Sequence, residues 1–330
     1  MSKIRRAAAS VLIFFAFVLT ACRFPAGITE PLPSPPPEAA ATLEPVKEPA
    51  WTEMPSSVPD GVSGSDDGRY ASTKLYYVTD EGYLLPVSAR IPWEDGIAKA
   101  CLGRLIADRE NRNALMGSGL NAPIPEGTRL SLAVTDGEAR LDLIGMPALP
   151  DAESERLLFA AIVNTLTEFR SIDRVTVLMN GSSAETAHGV TPPAGESALP
   201  LNVENAEVAV SGSAKPLTLY FPNRTGSYFI PVTRYVSGSA GLGAAVSALV
   251  SGTALPGLIP CFPEGTLMLG AAIENGLLTI DLSADFMKVA DTPGLYSLAM
   301  HSALLTAMPY GSVDEVRFLV NGAPFEPDGR

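Results

Sequence analysis

The sequence of 330 residues is short of the groups from which most active sites are built. It has two histidines, His188 and His301, and only three cysteines. No Cys or carboxylate cluster at ligand spacing joins the histidines, which excludes an ordinary zinc site. No G-x-S-x-G elbow is present, and the G-x-x-G spacing at Gly238 to Gly243 lacks a following G-K-[ST]. A nucleophile elbow and a phosphate loop are therefore both unsupported. Positive charge is also scarce. Against 36 acidic residues stand 23 Lys and Arg, a formal net charge of −13. Such a surface repels phosphate backbones, which argues against nucleic-acid binding, and it repels anionic lipid. Aromatics make up 7% and hydrophobic residues 46%, so the cores must be built mainly from Leu, Val, Ile and Ala. No stretch after the amino terminus reaches 18 apolar residues, so no transmembrane helix is expected in the mature chain.

What is present begins at the amino terminus. Lys3, Arg5 and Arg6 form a basic start, and Ala7 to Leu19 is almost wholly apolar. That run has the length of a signal-peptide core and falls short of the roughly 20 residues of a stable span. It ends in Leu19-Thr20-Ala21-Cys22. Small residues just before a Cys resemble the lipobox of bacterial lipoproteins. The resemblance implies a signal peptide over 1–21, cleavage before Cys22, and diacylglycerol on the Cys22 sulfur. A plain secretory peptide, giving a soluble product, is the alternative; a Cys at this position favours the lipid. Residues 1–21 carry three of the 23 basic residues and none of the 36 acids, so the mature chain stands at −16. Charge cannot hold it to a membrane, whereas two acyl chains can, at about 0.8 kcal/mol per buried methylene.

Residues 23–69 hold ten prolines and eight acids and few large apolar groups. Such a segment cannot bury enough surface to offset its ordering entropy. It reads as an extended acidic tether whose full reach approaches ~145 Å at about 3.1 Å per residue.

The remainder contains an internal repeat. Leu75-Tyr76-Tyr77 answers to Leu219-Tyr220-Phe221, and Tyr83-Leu84-Leu85-Pro86-Val87 to Tyr228-Phe229-Ile230-Pro231-Val232. Pro125-Glu126-Gly127-Thr128 returns as Pro263-Glu264-Gly265-Thr266, and Leu141-Asp142-Leu143 as Ile280-Asp281-Leu282. Val175 to Gly181 returns as Val316 to Gly322, ending in Asn-Gly both times. The order is kept throughout, and a period this long means two copies of a whole domain.

Each copy has the same succession of elements. Residues 73–79 and a run through Val87 read as strands around the turn Asp80-Glu81-Gly82. Ile97, Cys101, Leu105 and Ile106 have helical spacing within 94–109. Strands over 128–135 and 138–143 meet at Asp136-Gly137, a strong hairpin signal matched by Asn275-Gly276 in the second copy. A long helix over about 152–169 places Leu158, Ile162, Thr165, Leu166 and Phe169 on one side, with Asp151 as cap. In the second copy Thr292 is the expected cap and Pro293 the first helical residue. A last strand, 174–180, ends at Asn180-Gly181, where a left-handed turn is easy. The expected fold is α+β: two tandem copies of a strand–helix–strand–strand–helix–strand domain, each a small mixed sheet with helices packed on it. A single sheet per copy is the economical arrangement. The domains are read as 73–182 and 216–324, joined by a linker over 183–215 and preceded by the lipidated Cys and linker of 22–72.

Cys101 and Cys261 fall at non-equivalent places in the repeat. Either they pair across the two halves or they are two buried small apolar residues, and the second reading is favoured. Asp142 and Asp281 hold equivalent positions. Paired carboxylates can cleave glycosides, but one carboxylate per copy between alternating apolar residues better fits a strand's solvent face, or an acceptor at its end. Glu126 and Glu264 are explained as turn residues.

The succession Leu-Tyr-Tyr, Tyr-Leu-Leu-Pro-Val and Pro-x-Gly-Thr before a hairpin resembles the GerM domain. So does the helix carrying Asn164-Thr165-Leu166-Thr167-Glu168-Phe169 before a Val-rich strand ending in Asn-Gly. The resemblance covers about 74–181 and 217–323. It implies a sporulation or germination role at the outer forespore membrane, in an assembly between mother cell and forespore. It also implies a non-enzymatic domain related to ring-building modules. The second copy departs from the first in its Gly-rich stretch, Gly238 to Gly243, and in Pro309 at the end of its long helix. The expectation is a lipoprotein binding or scaffold module without cofactor or metal. Its partners would be the lipid bilayer, through Cys22, and other exported or membrane proteins. The alternatives are an extracytoplasmic enzyme acting on cell wall and a solute-binding lipoprotein.

Overall fold

The computed structural model describes residues 70–94, 96–209 and 212–327. The signal peptide expected over 1–21, the lipid site expected at Cys22 and the tether expected over 23–69 lie outside them.

The first copy opens on a hairpin, β1 (Tyr70–Thr79) and β2 (Leu84–Pro92), paired antiparallel with Tyr70 opposite Pro92 and Val78 opposite Leu84. Two short helices follow, α1 (Ile97–Gly103) and α2 (Arg109–Ala114). The single helix expected over 94–109 is thus broken. The buried Asn111 is the cause: its amide donates to the carbonyls of Gly103, at 2.9 Å, and Ile106, at 2.8 Å. It takes up carbonyls that a continuing helix would have used, and Asp108 caps α2 by accepting the N–H of Asn111. Cys101, Leu102 and Leu105 are nonetheless fully buried.

β3 (Leu120–Asn121) adds to β1. β4 (Arg129–Thr135) and β5 (Glu138–Ile144) form the expected hairpin, with Asp136 at φ 50 and Gly137 at φ 77. α3 (Ala152–Thr167) then crosses to β6 (Arg174–Met179), which lies parallel to β5. Asp151 caps α3, accepting the N–H of Ser154 at 2.7 Å. Leu158, Ile162, Thr165 and Leu166 are fully buried on its inner side.

Between the copies, β7 (Ala194–Glu196) pairs with β6, and α4 (Ala206–Ala209) packs on the second copy's hairpin. That hairpin is β8 (Ala214–Pro222) and β9 (Phe229–Ser237), followed by α5 (Leu242–Val250), β10 (Met268–Glu274) and β11 (Leu277–Leu282). α6 (Leu295–Ala307), β12 (Glu315–Val320) and β13 (Ala323–Pro324) complete the copy. β11 and β12 run parallel, as β5 and β6 do. α6 starts later than expected. Its cap is Gly294 at φ 79, not Thr292, and Pro293 precedes the helix. A 3-10 turn over Ala284–Asp291 delivers the chain to this point, and the left-handed step needs a glycine.

The α+β architecture is as expected, with one difference in the sheets. In each copy the mixed sheet is β4-β5-β6-β7 or β10-β11-β12-β13, and the opening hairpin forms a separate sheet. The long helix lies between the two and is bonded to the hairpin. The Thr165 hydroxyl accepts the N–H of Tyr76 at 3.2 Å, and Thr306 accepts that of Tyr220 at 3.1 Å. Both threonines are fully buried. A backbone donor that a neighbouring strand would satisfy is satisfied by a helix side chain instead.

Candidate functional site

The two copies meet through their opening hairpins. Tyr83 donates its hydroxyl hydrogen bond to the carbonyl of Pro256, at 2.7 Å. The repeat-equivalent Tyr228 lines the same seam as Ser118 of the first copy. Ser118 and Pro256 are themselves equivalent, since each precedes a Gly-Leu pair that docks on its own copy's first strand. Repeat-equivalent segments of the two copies thus line one seam within one chain. Asn202 holds both hairpins. Its amide donates to Leu84 at 2.9 Å and Pro231 at 2.7 Å, and its oxygen accepts the N–H of Leu84. Asn202 lies in the stretch read as a linker. A lone Asn between Leu201 and Val203 is a weak signal, and its left-handed backbone (φ 47) is a product of the folded seam.

A cleft of about 620 Å³ opens along this seam, with Asp80, Glu81, Arg112, Asn121 and Asn223 in its walls. Its polar groups are engaged with one another. Asn121 donates to Asp80 at 2.9 Å, Asn223 to Glu81 at 3.1 Å, and Arg112 pairs with Glu126 at 2.8 Å. A second knot ties the segment before α4 to the second copy. Glu204 accepts from Arg234, from the Thr253 hydroxyl and from the N–H of Ala254. Burial pushes its carboxyl up, but those three donors outweigh it and hold the group below the usual carboxylate range.

The candidate catalytic groups do not converge. Asp142 accepts the N–H of Gly181, and Asp281 that of Gly322, each at 2.9 Å. Both carboxylates act as acceptors beside the Asn-Gly turn of their own copy, the blander of the two expectations. His188 is bonded to the carbonyl of Leu149, and His301 to that of Ser297 one turn earlier in α6. Cys101 and Cys261 are buried and unpaired, so the reading as small apolar residues holds. Burial raises both thiols, Cys101 to about 11 and Cys261 to about 12. Among the described residues no three His, Cys, Asp or Glu are grouped to hold a metal ion. No helix among them is long and apolar enough to cross a membrane.

Comparison with known proteins follows the same division of the chain. The family model Germane, described as sporulation and spore germination, matches residues 74–185 and again 218–326. The spore germination protein GerM of Bacillus subtilis (strain 168) is 27% identical over 261 residues, which cover 76% of this chain and 71% of that protein. The solved tandem GerMN domains of the Bacillus subtilis sporulation protein GerM superpose with a TM-score of 0.56 at 25% identity. They cover 77% of this chain and 92% of theirs. Two matches in tandem, aligned with two structural copies, make this chain a member of the Germane family, the GerM-domain proteins of sporulation and spore germination.

Proposed function

We propose that the protein is anchored by lipid on Cys22 to the extracytoplasmic face of a membrane. There it serves as a non-catalytic binding and scaffold module in a sporulation or germination assembly at the forespore membrane. The observation that carries the non-catalytic part is the employment of the paired aspartates. Asp142 and Asp281, equivalent carboxylates of the two copies, each accept a backbone N–H of their own copy. The separate histidines are likewise bonded to backbone carbonyls. Docking surfaces are supplied twice over, by β4 and β10, the edge strands of the two mixed sheets among the described residues. The bonding among the cleft-lining side chains weighs against a solute receptor.

Two measurements test the reading. Metabolic labelling with a fatty-acid analogue should mark the wild-type chain and fail on Cys22→Ala, which stays uncleaved or leaves the membrane. Normal labelling of the variant overturns the anchor. The purified chain should release no product from peptidoglycan. Release that is abolished by Asp142→Asn or Asp281→Asn overturns the scaffold role.

A further inference from the structure

The hairpin β1–β2 has two ends. The turn end forms the seam with the second copy; the open end, where the tether joins at Tyr70, lies about 27 Å away for eight strand steps. At that open end two large aromatic side chains face solvent. Tyr70 is 48% exposed and Trp93 is 64% exposed. Both stand at the strand end: Tyr70 pairs with Pro92, and Trp93 follows Pro92 in the chain. The Arg90 guanidinium lies over the Tyr70 ring, 5.2 Å from its centre.

The repeat supplies the control. The second copy's hairpin has Ala214 opposite Ser237, followed by Gly238, so Ala and Gly stand where the first copy has Tyr and Trp. The fold therefore does not require aromatics at this end. They occur on the copy that follows the tether directly and are absent from the copy that does not.

We propose that the open end of this hairpin, Tyr70 and Trp93 with Arg90 beside them, is a bilayer contact that seats the first copy in the lipid headgroup region. The inference rests on the lipid anchor proposed at Cys22, and the chain between that residue and Tyr70 is what selects lipid over other occupants. It confines this end to within about 145 Å of the bilayer even at full stretch. A weak contact held at so high a local concentration, of order mM, becomes an occupied one. Trp and Tyr suit the headgroup region because their rings are apolar and their N–H and O–H remain hydrated. The acidic chain excludes attraction by bulk charge, so the contact is one of ring insertion and works on zwitterionic lipid.

The unlipidated mature chain, residues 23–330, tests this independently of acylation. It carries two tryptophans, Trp51 and Trp93, so Trp51→Phe leaves Trp93 as the sole reporter. With phosphatidylcholine vesicles at millimolar lipid, the emission of Trp93 should shift to the blue and be quenched by brominated acyl chains. Tyr70→Ala should weaken the partition several-fold. Trp93→Gly in the otherwise wild-type chain should reduce its flotation with vesicles. Both variants install the second copy's own residues, so the fold should survive, as circular dichroism will check. An unshifted, unquenched Trp93 on phosphatidylcholine overturns the proposal and leaves the aromatic pair to a protein partner. So does binding that needs phosphatidylglycerol and is indifferent to both variants. Either failure leaves the fatty-acid labelling of Cys22 untouched and so is distinguishable from loss of the anchor itself.

Discussion

Asp142 accepts the backbone N–H of Gly181 at 2.9 Å, across 39 residues of chain, and so ties the end of β5 to the left-handed turn that closes β6. Asp281 and Gly322 repeat the bond in the second copy at the same distance. Asp142→Ala should lower stability by about 1 kcal/mol, the usual net contribution of one hydrogen bond, since this one is exposed to solvent. Asp142→Asn, which keeps a side-chain carbonyl, should lower it less. Urea unfolding measures both. Equal losses would show that the bond to Gly181 is not what the aspartate supplies.

Ile162 is fully buried on the inner side of α3, between the hairpin and the mixed sheet. Ile162→Asp places an unpaired charge there, with an expected loss of several kcal/mol. Thermal melting by circular dichroism should show the first copy unfolding early. An unchanged melt would mean that the side chain finds water.

The seam can be locked covalently. A Cβ built on Gly257 lies 3.7 Å from the Cβ of Glu81, within the range of a disulfide. Glu81→Cys with Gly257→Cys should oxidise within one chain and link the copies. Gly257 has φ +79, so the new cysteine carries a backbone strain of roughly 1–2 kcal/mol. Mass spectrometry of the crosslinked peptides reads the outcome. Crosslinks found solely between chains would place the two hairpins apart.

Both buried thiols have raised pKa values in the folded chain, Cys101 about 11 and Cys261 about 12, against an ordinary value of 9.0. An acid with a raised folded pKa contributes stability that is complete below its unfolded value and lost as pH rises through the folded one. Stability should therefore fall as the pH climbs from about 9 towards 11 and beyond. Cys101→Ala with Cys261→Ala should flatten that fall, as urea unfolding across the range will show. In the native chain neither thiol should react with a disulfide reagent at pH 8 on a timescale where the unfolded chain reacts fully.

The turns were legible because they depend on single residues. Asp136-Gly137, Asn275-Gly276, Asn180-Gly181 and Asn321-Gly322 all adopt positive φ, which Gly tolerates and Asn and Asp accept. α3 was legible because its apolar spacing and its cap are local. The break after Gly103 was not, because it depends on Asn111, whose amide reaches back to two carbonyls. The late start of α6 was missed for a similar reason: a cap residue in sequence does nothing if the chain enters the helix past it.

The sequence by itself determined the duplication, the turns, the long helices and the α+β class, since each follows from side-chain periodicity or from what one residue permits at one backbone position. The tertiary structure alone decided that each hairpin leaves the mixed sheet and bonds to Thr165 or Thr306 in a helix. It alone decided that Tyr83 reaches Pro256 across a seam held by Asn202. The physical reason is range. Hydrogen bonds between residues roughly 90 to 170 positions apart depend on how whole copies dock, and no local pattern of apolar and polar residues encodes that pairing.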